Sequence, residues 1–228
     1  MKKIGVIGAM PEEIRLLKER MADVTEEKTA GLTVYSGTLH GKEVYLCQSG
    51  MGKVAAGAAT QVLATKYGIE AIINSGIAGN MTGKIGVGDV VLSKEVTYHD
   101  AQIDMINQAY PFMSEYKGDR GLLAAAGKAC RQTDTKYIEG RIATGDLFIG
   151  DSVLKKKIAN FCDPDCVEME GAAIAHIACK NDIPFLIIRA MSDNADEKAT
   201  QELVEQKFDV SAYCDKAADI CELCIKYW

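Results

Sequence analysis

Short apolar, β-branched runs recur along the chain. Most end in small or turn-forming residues followed by a stretch of helical character. The runs at 4–7, 44–48, 71–74, 89–96, 141–144, 166–169 and 185–189 are strand-length. Helical stretches follow at 53–67 and 171–181. Such alternation confines a chain to α/β architectures with a largely parallel sheet. Residues 32–36 and 44–47, joined through Gly37-Thr38-Leu39-His40-Gly41, read instead as antiparallel neighbours, so the sheet is expected to be mixed. Residues 100–119 show little periodicity, as functional loops often do. No repeat or linker divides the 228 residues, which read as one domain, 1–228.

Ligands of open α/β sheets bind beyond the carboxyl ends of the strands, so the residues following each run matter most. After the first run comes Gly8-Ala9-Met10-Pro11-Glu12-Glu13. Pro11 suits a first helical position, and the helix dipole favours ionised carboxylates at Glu12 and Glu13. Such a carboxylate can accept a proton from water, although acids also open helices simply as caps. Gly50-Met51-Gly52-Lys53-Val54-Ala55 matches a dinucleotide fingerprint, with Glu70 twenty residues after Gly50. It also fits a tight turn, or a glycine floor beneath a flat ligand; Ser75-Gly76-Ile77-Ala78-Gly79 allows the last two readings.

Glu168 and Glu170 flank Met169. Alternation sets them on one side if the strand continues, either as solvated strand-end acids or as acceptors for ribose hydroxyls. Arg189-Ala190-Met191-Ser192-Asp193 follows a strongly apolar run. A partly desolvated Asp193 would hold its proton more tightly and could donate it to a leaving group, or it could merely cap a turn. His176 reads as structural, and His99 as structural or as polar pocket lining.

The net charge of −6 disfavours nucleic-acid binding, which needs a basic surface to displace counterions. No run approaches a membrane span, and the apolar N-terminal run stops at Pro11-Glu12-Glu13 without a cleavage site, which leads us to expect a cytoplasmic protein. Eight scattered cysteines read as reduced thiols. Cys221-x-x-Cys224 lies on a stripe with Val210, Cys214, Ala217 and Trp228, the buried face of a terminal helix. A zinc site would need a second pair, for which only Cys162 and Cys166 are candidates.

Taken together, six segments occur in the order found in the purine nucleoside phosphorylase and nucleosidase superfamily. They are Ile4-Gly5-Val6-Ile7-Gly8-Ala9-Met10 with Glu12-Glu13, Ser49-Gly50-Met51-Gly52-Lys53-Val54-Ala55-Ala56, Tyr98-His99-Asp100-Ala101, Thr144-Gly145-Asp146-Leu147-Phe148-Ile149, Val167-Glu168-Met169-Glu170 and Arg189-Ala190-Met191-Ser192-Asp193. Over residues 4 to about 196 the chain most resembles the bacterial 5′-methylthioadenosine/S-adenosylhomocysteine nucleosidases. That resemblance implies a three-layer αβα sandwich around a mixed, largely parallel twisted sheet. It also implies a homodimer, no metal or cofactor, and hydrolysis of an adenine nucleoside.

It implies roles for single residues too. Glu13 would activate water and Asp193 would protonate the purine N7. Glu170 would hold the ribose hydroxyls beside Met169. Phe148 would stack on the base, and the Ile149 backbone would read its edge. Met10 and Met51 would line the ribose and 5′ region, with Gly79 and Ile103 also at the substrate. Arg189 and Ser192 would position the Asp193 loop.

The chemistry agrees with these roles. Cleavage builds positive charge on the ribose, and a purine leaves poorly unless N7 is protonated. Water attacks the opposite face, which calls for a separate base, as in inverting glycosidases. A phosphorylase would need cations for phosphate, and Arg15 is the only arginine near Glu12 and Glu13 in sequence. After Ala101 the chain departs from the family's Thr-Ala-Phe-Gly-Tyr-like segment, and Ile77 stands where a serine is common. The 5′ substituent is therefore open between 5′-methylthioadenosine, S-adenosylhomocysteine, 5′-deoxyadenosine, adenosine and a futalosine-like nucleoside. Phe208 is placed at the pocket. A nucleoside-binding protein without turnover is the alternative from another class.

Overall fold

The computed structural model describes residues 1–205, 207 and 209–228. Ten strands and eight α-helices are present among them. The strands are β1 (Lys3–Gly8), β2 (Ala22–Thr29), β3 (Leu32–Leu39), β4 (Lys42–Gln48), β5 (Ala71–Asn80), β6 (Val90–Tyr98), β7 (Glu115–Lys117), β8 (Tyr137–Thr144), β9 (Cys166–Glu168) and β10 (Phe185–Asp193). The helices are α1 (Pro11–Arg20), α2 (Lys53–Val62), α3 (Ile103–Ile106), α4 (Arg120–Gln132), α5 (Ser152–Cys162), α6 (Gly171–Lys180), α7 (Glu197–Val204) and α8 (Ser211–Tyr227).

All ten strands join one mixed sheet in the order β10-β6-β8-β9-β5-β1-β4-β3-β2, with β7 on β6. Because β10 also pairs with β5, five strands close on themselves and the rest extend as an open wing. Pairing is parallel for β1 with β4 and β5, β5 with β10, and β8 with β6 and β9. It is antiparallel in the β2-β3-β4 wing. One core lies between the sheet and α1, α4 and α8, with Ile4, Ile73, Ile188 and Cys221 in it. A second lies beneath α2 and α6, with Ile7, Ile72, Ile187 and Ile174. Alternate residues of β5 and β10 thus feed opposite layers, the period-2 consequence of a sheet covered on both faces.

Several boundaries differ from the sequence expectation. β2 was not anticipated: its side chains are almost all exposed, so it has no apolar period and is held by backbone pairing to β3. The helix expected over 53–67 widens into a π-helical turn at Leu63–Tyr67, which Gly68 closes with φ +63°. The aperiodic stretch after Asp100 contains α3 and β7. The stripe on α8 is buried at Cys214, Ala217, Cys221 and Cys224. All eight cysteines are free thiols. Among the described residues, no group of three or more His, Cys, Asp or Glu side chains is arranged to hold a metal ion, and no helix is long and apolar enough to cross a membrane.

Candidate active site

The largest departure concerns β5 and β10. Gly76 to Gly79 and Met191 to Asp193 were expected as turns after the strands. Instead both strands run on through them, with Arg189 opposite Gly76 and Asp193 opposite Gly79 across a bulge. Small residues on β5 make room for what the partner strand and α1 bring in. A methyl at Gly76 would overlap Arg189 Nη1 and lie 2.5 Å from Glu13 Oε1. One at Gly79 would lie 3.0 Å from Asp193 Oδ1 and from Ala195 Cβ.

At the first end of the site, the turn after β1 starts α1 with Pro11 in its first turn. Glu13 folds back over that turn. Its Oε2 accepts the Ala9 and Met10 N–H groups at 2.6 and 3.2 Å, and its Oε1 accepts that of Ile77 at 3.1 Å. Glu13 is 2% exposed, whereas Glu12 faces solvent, which separates the two acids. Burial raises the Glu13 pKa against the opposing pull of Arg189 and the three amides.

Arg189 is 1% exposed and lies among three carboxylates. Its Nη2 donates to Glu168 Oε2 and Asn74 Oδ1, and sits 3.4 Å from Glu170 Oε2. Its Nη1 lies 3.3 Å from the Ile77 carbonyl and 3.9 Å from Glu13 Oε1. The sequence reading had Arg189 holding the Asp193 loop, and this is corrected. Four residues of strand separate them by about 13 Å, and the side chain turns towards Glu13. Arg15, the cation near Glu13 in sequence, instead pairs with Glu19 and Asp215 at the surface.

Glu168 and Glu170 do converge, though not by alternation. β9 ends at Glu168, and Glu170 leaves extended geometry (φ −130°, ψ −38°) to open α6. Both are buried, so they are not solvated strand-end acids. Glu168 Oε1 accepts from Thr144 Oγ1, and its Oε2 accepts the N–H groups of Glu170 and Gly171 at 3.1 and 2.7 Å. Glu170 Oε1 accepts the Gly52 N–H at 2.8 Å. Burial first, then the like charge of Glu168 among its neighbours, push the Glu170 pKa up to about 7.

The Gly50-Met51-Gly52 turn has φ of +84° and +93° at its glycines. The first amides of α2 serve Glu170 and Asp146, the latter accepting from Lys53 N at 2.8 Å. The place a pyrophosphate would take at that helix end is filled by carboxylates, which removes the dinucleotide reading.

At the other end, Asp193 Oδ1 accepts the Ala195 N–H at 2.7 Å, and Ser192 Oγ lies 2.7 Å from Oδ2 and 3.3 Å from the Ala78 carbonyl. The hydroxyl can donate to the carboxylate, or turn to Ala78 and accept from a protonated Asp193. Burial raises the Asp193 pKa.

The other expected contacts are mixed. Met10 and Met169 are half-buried beside these acids in the chain. Met51 and Phe148 are exposed, and Ile149 is buried with Val167 and Ala195. Ile103 packs against the core beneath α2 and α6. Phe208 lies outside the described residues. The sequence reading missed Asn74 and Thr144. A polar residue inside the run Ala71-Ile72-Ile73-Asn74 was the available signal.

A family model described as the phosphorylase superfamily matches residues 3–226, and the chain belongs to that superfamily. It is 41% identical over 209 residues to a 5′-methylthioadenosine/S-adenosylhomocysteine nucleosidase from Shewanella pealeana, covering 89% of this chain and 91% of the relative. The nucleosidase of that type from Neisseria meningitidis, solved in complex with methylthio-immucillin-A, superposes with a TM-score of 0.93 at 34% identity, covering 100% of each chain. Within the superfamily, the chain is therefore a member of the 5′-methylthioadenosine/S-adenosylhomocysteine nucleosidase family. Futalosine hydrolase of Helicobacter pylori is a further match, with a TM-score of 0.89 at 27% identity, covering 100% of this chain and 98% of the other.

Proposed function

We propose that this chain, acting as one nucleosidase domain, hydrolyses the N-glycosidic bond of adenine nucleosides, with 5′-methylthioadenosine and S-adenosylhomocysteine as the leading substrates and 5′-deoxyadenosine as a further one. The observation that carries this reading is the pair of buried carboxylates set against the C-terminal half of β5. Gly76 marks Glu13 and Gly79 marks Asp193. The acid and the base thus stand at separate positions along one strand, as an inverting displacement by water requires.

In this mechanism Asp193 protonates N7 while Ser192 turns its hydroxyl towards Ala78. Glu170 accepts the ribose hydroxyls, Met169 packs beside the sugar, and Glu13 takes a proton from the attacking water. Phe148 and Ile149 flank the base, with Met10, Met51 and Ile103 towards the 5′ side. The product sugar is inverted at its anomeric carbon. Water rather than phosphate is the nucleophile, because the guanidinium beside Glu13 is already engaged by Glu168, Asn74 and Glu170. A phosphate dianion there would meet buried carboxylates.

The same reading makes the protein a cytoplasmic homodimer that feeds methionine salvage. Met51, Val54, Met105, Tyr110, Phe112 and Leu147 expose apolar side chains. They lie in the segments that follow β4, β6 and β8, with Val54 in the first turn of α2 and Met105 in α3. Lys53 Nζ ties these segments together, 2.6 Å from Asp100 Oδ1 and 3.5 Å from Asp146 Oδ2. An exposed apolar area of this kind supports a covering partner.

The test is adenine release from the candidate nucleosides with and without phosphate, followed by chromatography, with sedimentation for assembly. Phosphate-independent release is the expected result. Release only with phosphate would make the protein a phosphorylase, and tight binding without release would make it a nucleoside-binding protein.

A further inference from the structure

Three carboxylates share one guanidinium, and the reaction above uses only two of them. Glu168 is the third. Its partners all belong to the protein: the Thr144 hydroxyl on Oε1, and the amides of Glu170 and Gly171 with Arg189 Nη2 on Oε2. Thr144 Oγ1 in turn accepts the Ala172 N–H at 2.8 Å, which fixes the hydroxyl as a donor to Glu168. With four donors in place and its side chain 2% exposed, Glu168 has nothing left to offer a ligand. Glu170 is held more loosely, by one amide at 2.8 Å and by Arg189 at 3.4 Å. Glu13 stands 3.9 Å from the guanidinium. The distances rank the three acids: Glu168 is the tight partner, Glu170 a long one at 3.4 Å, and Glu13 stands furthest at 3.9 Å.

We propose that Glu168 is a positioning residue: it serves as the fixed counter-ion of Arg189, and by occupying that guanidinium it keeps Glu170 free for the ribose hydroxyls and Glu13 free for water. This rests on the hydrolytic reading. Without Glu168 the guanidinium would close on Glu170 or Glu13 and hold it ionised in a buried pair.

The titratable groups facing this cluster are limited. Cys166 on β9 and Cys214 on α8 lie near it, and burial pushes both thiols up, Cys214 to about 12, so neither changes charge in the working range. Tyr98 at the end of β6 is raised likewise, and burial lowers the pKa of the neighbouring His99. His99 therefore titrates on the acid side as well and feels Glu168, so the profiles are taken in a His99→Asn background, where the acid limb that remains reports the carboxylates.

The experiment is kcat/KM for adenine release against pH in this background with Glu168 intact, Glu168→Gln and Glu168→Asp, with thermal melts to establish folding. A glutamine keeps the shape and can still accept the three N–H groups through its oxygen; its amide then faces Thr144, whose hydroxyl loses its acceptor and must turn, so the variant changes the charge and one hydrogen bond. Losing one negative charge, and with it the ion pair that held Arg189, favours ionised Glu13 and Glu170. The acid limb should therefore move to lower pH by about one unit, with kcat/KM on the plateau reduced about tenfold. A folded E168Q whose acid limb stays where its Glu168 parent's is overturns the proposal, whatever its activity. If E168Q does not fold, E168D decides: its charge is withdrawn from Arg189, so the limb should move the same way by less, and an unmoved limb is the overturning result. A wild type that releases no adenine at any pH would sink the hydrolytic reading instead.

Discussion

The two ends of the site use the same functional group in different surroundings. Glu13 is enclosed by three amides, with Arg189 alongside. Asp193 has one amide and one hydroxyl, and no ion pair among the described residues. Burial raises both pKa values, but at Glu13 a guanidinium opposes it as well as hydrogen bonds. The carboxylate that must give up its proton before the chemistry sits beside a buried guanidinium, whereas the one that must deliver a proton feels only the weaker pull of Lys155, whose Nζ is held by the Asn80 and Asn194 carbonyls. The comparison teaches that burial alone makes a carboxyl hold its proton, and that the neighbouring charge assigns it to the base or the acid role.

The sharpest way to break this comparison is at its two poles. Asp193→Asn should lower kcat by about 10²–10⁴-fold in steady-state adenine release, and Glu13→Gln by about 10²-fold, with the fold retained in both. Near-normal turnover in either variant removes that residue from the chemistry. A change confined to KM would make it a binding group.

The glycines beneath the poles come next. Gly76→Ala would overlap Arg189, whose guanidinium is fixed by several partners, so chemical unfolding should show a loss of about 1–3 kcal/mol. At Gly79 the tight contacts are at 3.0 Å, and the cost should stay below about 1 kcal/mol. Equal costs would mean that the base end is no more rigid than the acid end.

The cluster should also show in the pH dependence of stability. Glu170 has a folded pKa raised from 4.5 to about 7, so the protonated form is the better fit to the fold. A raised carboxylate contributes stability that is fully present below its unfolded value and is lost as pH rises through the folded one. Wild-type melting temperature should therefore fall between pH 4.5 and about 7, and Glu170→Gln should flatten that fall. A decline as steep in E170Q would locate the titration elsewhere. The smallest effect belongs to Ser192→Ala, which removes one hydrogen bond beside Asp193. About 0.5–1.5 kcal/mol, or roughly a threefold to tenfold loss of kcat, is expected in the same assay.

Much of the site was legible because its residues follow strand-length runs. Glu13, Glu170, Ser192 and Asp193 were each marked by an acid or hydroxyl where an apolar run ends. What misled was parity and reach. Arg189 and Asp193 share a short segment, so sequence proximity assigned them one task. However, strand rise separates them, and a guanidinium goes to the densest negative charge within its length. The same reach explains Arg15, which is close to Glu13 in number but turned to solvent by the helix. β2 escaped because a strand with no buried face carries no periodic signal.

The sequence by itself determined the alternation of strands and helices and which residue types stand at strand ends. These follow from local period and turn chemistry, which act between near neighbours. Only the tertiary structure decided that β10 would lie against β5 and close the sheet on itself, that Gly76 would admit a guanidinium, and that Glu13, Glu168 and Glu170 would share it. Those contacts join residues up to 176 positions apart, as between Glu13 and Arg189. Charge distribution in a buried cluster depends on distances of a few ångströms, and only the packed chain sets them.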